Sequence, residues 1–363
     1  MKKILITANT DRHILVCHLP YLKWFKENGY CVHLATNTSN EIPYIDKKIN
    51  LGISRKPFHF TNILAVFKLK KIMKNEKYDI IYTHTPTGAA ITRFAYKFAN
   101  VKSDLIYMCH GFHFFKKAPK HFWLLYYPVE KYLMKYTKKL MVMNNEDYDF
   151  AKKHFKNVEI QKVNGIGLNT ERLDKEISKS EKEKIFKEFN LKESDFIISY
   201  IAELSKRKDQ ISLIKQLAKN NIRSTNIKIL LIGDDSLNGR IEKLLKKYNL
   251  SSNVITTGFR KDINIFLSIS DLVLSISKQE GLPLNVMEAI YMKKYIIATP
   301  CRGNVDLIKD NINGFIINDV SELWDKIINF KEHNVEYKRR YNQYIDINKY
   351  KVKNVLEDVI KNM

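Results

Sequence analysis

Two carboxylates open the chemical question. The stretch KQEGLPLNVMEAI, residues 278–290, places Glu280 and Glu288 eight positions apart. On one continuous helix they would stand about 80° apart around the axis, at about 100° per residue. Gly281 and Pro283 argue against one helix. Glycine permits a tight turn, and proline suits a helix start, where its missing N–H is not needed. The spacing therefore predicts Glu280 in a loop and Glu288 inside the helix after it. A helix N-terminus with unpaired backbone N–H groups is a natural anion site. Carboxylates accept paired hydrogen bonds from vicinal hydroxyls. An anion flanked by two polyol-binding carboxylates matches a diphosphate joined to sugars, the chemistry of a nucleotide-sugar. A bare pair of glutamates at this spacing more often means one solvated helix residue and one partner of the helix dipole. The strand, E-G-L-P turn and helix around this pair reverse that weighting.

The elements that must hold these residues alternate. Apolar runs at residues 3–8, 31–36, 78–85, 104–110 and 139–144 read as strands. Helical stretches lie between them near 62–75, 87–99 and 121–137, and LVCHLPYLKWFKENGY reads as a helix stopped by Gly29. The rhythm lapses at 165–185, then restarts at 195–203, 227–233, 253–259, 271–277, 294–300 and 314–318. Strands alternating with helices predict parallel sheets covered on both faces. The expected fold is α/β with two Rossmann-like domains. An N-terminal domain spans 1–168, a linker 169–185, and a C-terminal domain 186–345. A helical tail at 346–363 packs back on the N-terminal domain. Two such domains would face each other across a cleft, each offering the carboxyl ends of its strands.

Composition narrows the partners. Lys and Arg outnumber Asp and Glu 62 to 39, a net charge of +23, which favours anionic partners. Hydrophobic residues make up 45% of the 363-residue chain, enough for packed cores, and no run reaches the length of a membrane span. The N-terminal run ends at once in Asn9, Thr10, Asp11 and Arg12, so it reads as a first strand and the protein as cytoplasmic. Cys17, Cys31, Cys109 and Cys301 have no metal or redox spacing, so no structural metal is expected. GDD at 233–235 reads as a cap, and no GxGxxG or Walker A motif anchors nicotinamide or ATP chemistry.

The 278–290 stretch resembles the E-x7-E motif of the family-4 retaining glycosyltransferases, which have the GT-B fold. HGFHFFKKAP, NGIGLNTERL, ELSKRKDQ, IGDDSLNGRIEKLL, TGFRKDI, CRGNVDLI and NINGFII come in the family's order. DRHILVCHLPYLKWFKENGYCVHLAT, residues 11–36, and the HGFHF segment look like a bacterial branch that builds capsule and exopolysaccharide. The resemblance implies that Glu280 contacts donor-sugar hydroxyls and that Glu288 grips the ribose. It places the backbones of Gly281 and Leu282 near sugar and phosphate. Lys208 falls at the family's phosphate-binding lysine. Glu203 stands where the family has an arginine, and Arg207 is the candidate substitute. His110 matches the His that reaches the donor sugar, with His113 lining the same region. Gly258, Phe259 and Arg260 match the loop around the base, where Arg260 would stack. Gly303 and Asn304 look like a turn presenting backbone N–H groups. The family's Gly-Gly loop after the first strand is missing, so Asp11, Arg12, His13 and His18 are the acceptor-side candidates. Asp11 as a helix cap and His18 as a core residue are equally good readings of those two.

The resemblance implies a retaining transfer from a nucleotide-sugar, here a UDP-sugar, to a lipid-linked acceptor such as a polyprenyl-diphosphate saccharide. No cofactor and no dedicated metal are expected, nor a nucleic acid partner. The segment 113–139 interleaves lysines with Phe114, Phe115, Phe122, Trp123, Tyr126, Tyr127, Tyr132 and Tyr136. That composition suits an anionic membrane surface, and suits equally a helix with aromatics facing its own core. The expected place is the inner face of the cytoplasmic membrane. Two rivals remain: a nucleotide-sugar epimerase of the same fold, and a non-catalytic basic protein that binds membranes or polyanions.

Overall fold

The computed structural model describes residues 1–37, 40–54, 56–341 and 346–363. The chain forms two compact units, Met1–Gly167 together with Val352–Met363, and Leu168–Lys351.

In the first unit the strands are β1 (Lys3–Thr7), β2 (Cys31–Thr36), β3 (Lys47–Asn50), β4 (Ile80–His84), β5 (Asp104–Cys109), β6 (Lys139–Val142) and β7 (Glu159–Lys162). They pair in the order β3-β2-β1-β4-β5-β6-β7, every pair parallel. Parallel pairing requires a crossover between strands, and the crossovers here are mostly helices. Leu5, Ile81 and Leu105 on one face of the sheet pack against Ala65, Leu69 and Met73 of the helix Phe60–Glu76, and against Ile91 and Ala95 of the helix Pro86–Ala99. Two strands escape recognition in the sequence. Both β3 (KKIN) and β7 (EIQK) are sheet edges, and an edge strand half in water keeps too few apolar residues to stand out.

The helix read across residues 15–30 is two, Asp11–Cys17 and Leu19–Glu27, broken at His18. Pro20 is the cause. It has no N–H to give to the carbonyl four residues back, and its ring crowds that carbonyl. The break leaves His18 at a corner with φ −128° and ψ 4°, its ring buried.

In the second unit the strands are β8 (Phe196–Ile201), β9 (Ile227–Ile232), β10 (Val254–Gly258), β11 (Leu272–Ser275), β12 (Tyr295–Ala298) and β13 (Gly314–Ile316). Their order is β10-β9-β8-β11-β12-β13, again all parallel. One face packs on the helices Gln210–Lys219, Arg240–Lys247 and Leu323–Tyr341. The other packs on Ile263–Ile269 and Leu284–Tyr291.

The expected linker at 169–185 is not a free joint. Leu168, Leu173 and Ile185 are core residues of the second unit, and Lys179–Glu188 is a helix with a capping box at Ser178 and Glu181. The segment looks polar because only that sparse set of side chains faces inward. The tail is split. Leu323–Tyr341 is helical, residues 342–345 lie outside the described residues, and the helix Val352–Lys361 belongs to the first unit.

Candidate active site

The second unit collects its charged candidates at the carboxyl ends of its strands. Glu280 lies in the loop after β11 and is buried. One carboxylate oxygen accepts from Lys208 Nζ at 2.5 Å and the other from Arg207 at 3.0 Å. Burial pushes the Glu280 carboxyl up, but Lys208 and Arg207 together outweigh it and hold it below the ordinary carboxylate range. Both cations come from the loop after β8. Tyr200 fixes that loop by donating its hydroxyl to the Lys208 carbonyl, and Lys278 N–H donates to the Arg207 carbonyl at 2.9 Å. Arg207 is half-exposed and also donates to the Gln279 carbonyl at 3.0 Å. Glu203 instead accepts from Ser236 at 2.5 Å, so its carboxylate serves the neighbouring loop.

Glu288 sits in the helix Leu284–Tyr291, buried, and pairs with Arg172. The two glutamates are thus on different elements, each with its own cationic partner. Desolvation lowers the Arg172 guanidinium below its usual value. Arg172 lies within NGIGLNTERL, yet its charge alone could not have distinguished it from 61 other basic residues; the contact spans 116 positions. Arg302 escapes notice in the same way. It is buried and donates Nε–H to the Glu280 carbonyl at 2.9 Å, setting the loop from below.

Gly281 and Leu282 form the turn between the glutamates, with Leu282 packed on the core beneath. Gly303 is held against that turn at φ +81°, where a Cβ would come within 2.5 Å of the Gly281 carbonyl oxygen. The expectation that Gly303 and Asn304 offer free N–H groups fails. Gly303 N–H donates to Asp306 at 3.1 Å, and Asn304 N–H donates to the Cys301 carbonyl at 3.1 Å. The Asn304 side chain is buried and donates to the carbonyls of Ser275 and Thr299, both at 3.0 Å. These residues brace the turn.

Gly258 ends β10, and Phe259 beside it is 58% exposed. Arg260 is not available to stack on a base. Its guanidinium is bidentate to Asp262 at 2.7 and 2.9 Å, pairs with Glu188 at 2.7 Å, and lies over the Phe266 ring at 5.1 Å. These partners raise its pKa further. Asp235 of the GDD run caps a turn, accepting from Leu237 N–H at 2.7 Å and Gly239 N–H at 2.6 Å.

The first unit concentrates imidazoles rather than charge. His13 and His18 come after β1, His84 ends β4 and His110 comes after β5, and these three strands are neighbours. His13 Nε2 lies 3.2 Å from His110 Nε2 and 3.3 Å from His18 Nε2. His110 Nε2 lies 3.4 Å from His84 Nδ1. Each ring offers one nitrogen to a set that falls within 4.8 Å. Burial drives His13 down to about 4. Burial, then the neighbouring rings, drive His18, His84 and His110 well below the usual imidazole range. All four are therefore neutral at neutral pH. These are the side chains in the described residues placed to hold a metal ion.

Other acceptor-side candidates part from this cluster. Asp11 is neither a cap nor open to a ligand. It is the first residue of its helix, fully buried, and accepts from Thr36, Lys48 and the Asn40 N–H, tying the helix to β2 and β3. Arg12 is exposed. His113 packs on Tyr126 with ring centroids 4.6 Å apart.

The 113–139 segment turns part of its aromatic set inward and leaves Tyr132 exposed. Phe114 is buried, and Trp123, Tyr126 and Tyr127 pack against the core around it. The exposed apolar row lies elsewhere, at Phe58, Phe60, Ile63, Leu64 and Phe67. It borders an apolar groove of about 370 Å³ lined by Ile63, Phe94 and Tyr126. No helix among the described residues is long and apolar enough to cross a membrane.

Comparison with known proteins fits this layout. Residues 181–346 match the model of the glycosyl transferases group 1, and residues 3–145 match that of the glycosyl transferase 4-like proteins. The chain is 38% identical over 318 residues to EpsD of Bacillus subtilis (strain 168), named as a glycosyltransferase, covering 87% of this chain and 83% of that one. The chain belongs to the family-4 glycosyltransferases. This glycosyltransferase is also 28% identical over 280 residues to the UDP-Gal:alpha-D-GlcNAc-diphosphoundecaprenol alpha-1,3-galactosyltransferase of Escherichia coli, covering 75% and 71%. Its fold matches that of Anabaena HepE, solved with UDP and glucose, at a TM-score of 0.81 and 19% identity over 100% and 99% of the chains. Two parallel Rossmann-like units and these neighbours make the glycosyltransferase a GT-B protein.

Proposed function

We propose that this glycosyltransferase moves a sugar from a UDP-sugar to a lipid-linked saccharide, with retention of anomeric configuration, in polysaccharide synthesis. The observation that carries the donor reading is the Glu280–Lys208–Arg207 triad, held at the strand ends of the second unit. A buried carboxylate kept ionised by two cations is a fixed acceptor for sugar hydroxyls. The same cations supply positive charge for a diphosphate, so the donor site works without a dedicated metal. Glu288, backed by Arg172, holds the ribose hydroxyls. Exposed Phe259 stacks on the base. The activity for which the Escherichia coli relative is named and the UDP in the HepE structure support the choice of donor and acceptor class.

In the proposed reaction the acceptor hydroxyl oxygen bonds to the anomeric carbon on the face the diphosphate leaves. The bond from that carbon to the phosphate oxygen breaks. The hydroxyl proton passes to the departing phosphate, and Lys208 and Arg207 stabilise the charge that develops there. This is electrostatic stabilisation of a leaving group, unlike the paired-carboxylate hydrolysis of glycosidases.

The acceptor's lipid brings the enzyme to a membrane. The apolar row Phe58–Phe67 carries that contact, with the lysines of the same helix, Lys68, Lys70, Lys71 and Lys74, toward anionic headgroups. The lysines of 113–139 add mainly charge, because Phe114, Trp123 and Tyr127 beside them pack into the core.

A panel of UDP-, GDP- and TDP-sugars, incubated with and without a polyprenyl-diphosphate saccharide, tests the reading. Transfer from a UDP-sugar to the lipid acceptor, with the donor's anomeric configuration kept in the product, is expected. Epimerised donor without acceptor, or an inverted product, would overturn it.

A further inference from the structure

We propose that His13, His18, His84 and His110 bind a first-row transition-metal ion, with Zn²⁺ the best fit, through one ring nitrogen each. This concerns the first unit alone and is independent of the donor reading.

Zinc binds histidine nitrogen at about 2.0–2.1 Å, so neighbouring ligand nitrogens in a tetrahedral site stand about 3.3 Å apart. Three nitrogen pairs here are 3.2, 3.3 and 3.4 Å apart. The remaining pairs lie within 4.8 Å, so a modest closure completes the tetrahedron. An all-imidazole donor set suits zinc, copper, nickel or cobalt, and does not suit magnesium or calcium.

Hydrogen-bond counting points the same way. An imidazole nitrogen carries either one proton or one lone pair in the ring plane. Four nitrogens linked in a row by three contacts can therefore make at most two hydrogen bonds, whatever the tautomers. His13 Nε2 and His110 Nε2 each face two partners. One contact is therefore always left without a hydrogen bond of its own, because two groups compete for a single proton or lone pair. A cation that takes all four lone pairs removes that conflict. With the inner nitrogens as ligands, the outer ones carry the protons. Of those, His18 Nδ1 and His84 Nε2 are buried and meet no protein acceptor among the described residues.

The backbone is bent to aim these rings. Thr85, next to His84, has φ +62° and ψ +143°, a region close to glycine-only. It is held there by the Asn9 N–H, which donates to its hydroxyl at 3.1 Å. Pro20 breaks the neighbouring helix at His18. Asp147 accepts from the Phe112 N–H at 3.3 Å and steadies the turn after His110. Three separate devices thus converge on one cluster. A bound ion would take His110 through Nε2, the atom that faces His13 and His84.

The test uses the full chain without a polyhistidine tag. After treatment with a chelator and gel filtration, Zn²⁺ or Co²⁺ is titrated in and the bound metal is counted by mass spectrometry. About one ion per chain is expected, with the visible absorption of tetrahedral cobalt. His18→Ala is expected to lose both. Should that variant not fold, His13→Ala at the half-exposed edge of the cluster serves the same purpose. His113→Ala, outside the cluster, is expected to keep both. Wild-type protein that takes up no more metal than His13→Ala, or cobalt with an octahedral spectrum, would overturn the proposal.

Discussion

The two units share one architecture and arm the same sheet edge in opposite ways. In the second unit the strand ends carry full charges, and each carboxylate is matched by a cation: Glu280 by Lys208 and Arg207, Glu288 by Arg172. In the first unit the strand ends carry four neutral imidazoles, while the charged Asp11 is consumed by the scaffold. Paired charges prepare a site for an ionic, hydroxylated ligand. Ring nitrogens gathered face to face suit a Lewis acid, the occupant proposed above. One fold thus supports two kinds of recognition, and the difference lies in the loops after the strands.

Among its described residues the first unit also buries an ion pair away from its strand ends. Arg93 and Glu130 meet at 2.8 Å between the helices Pro86–Ala99 and Lys120–Leu133, with Arg93 over the Tyr107 ring. If charge there is structural, Arg93→Met should cost about 3–5 kcal/mol, because Glu130 is left buried and unpaired. Urea unfolding measures it. A loss below about 1 kcal/mol would mean that water replaces the pair.

In the second unit the charges should cost activity. Lys208→Met is expected to lower the turnover rate about 10²–10³-fold, the usual effect of removing one stabilising donor. It should also reverse a pH dependence. In the wild type Glu280 titrates below its ordinary range, so its stabilisation is full above that range and fades as pH falls through the folded value. Without Lys208, burial dominates and the carboxyl titrates above its ordinary range. Its effect is then most favourable in acid and stability declines as pH rises between about 4 and 7. Unfolding free energies across that window, compared with Lys208→Met/Glu280→Gln, expose the change of slope.

A finer contrast lies within TGFRKDI. Phe259→Ala should weaken UDP binding by about 1–3 kcal/mol, the worth of one base stacked on an aromatic ring, and leave melting unchanged. Arg260→Ala should lower melting and change UDP affinity far less, since its partners are Asp262 and Glu188. Calorimetry and thermal melting of the two variants decide whether ring or guanidinium meets the base.

The smallest expected effect on the folded protein is at the apolar row. Leu64 is 61% exposed, so Leu64→Glu should alter stability by less than about 0.5 kcal/mol. Sedimentation with vesicles of anionic lipid should nevertheless show weaker binding. Unchanged sedimentation would place the membrane face elsewhere.

The sequence revealed the second unit's chemistry better than the first's, for a physical reason. Glu280, the turn and Glu288 are contiguous, so strand end, breaker and helix start are readable within the stretch 278–290. Their cations are not: Lys208 is 72 positions from Glu280 and Arg172 is 116 from Glu288. Only the parallel topology brings them together. The histidine cluster is more scattered still, since His13, His84 and His110 meet because β1, β4 and β5 are adjacent. No short motif encodes that. Edge strands β3 and β7 were hidden by their polar residues. Aromatic composition at 113–139 was legible, but the direction in which those rings point is a tertiary fact.

The proposed role of the paired cations on Glu280 is to hold the donor diphosphate without a metal. Calorimetric titration of UDP into the wild type and into Arg207→Met/Lys208→Met, both in chelator, tests it most directly. Clear binding by the wild type, weakening with salt, and a loss of about 100-fold or more in the double variant are expected. Equal binding by the two proteins, or wild-type binding that appears only when Mg²⁺ is restored, would contradict it.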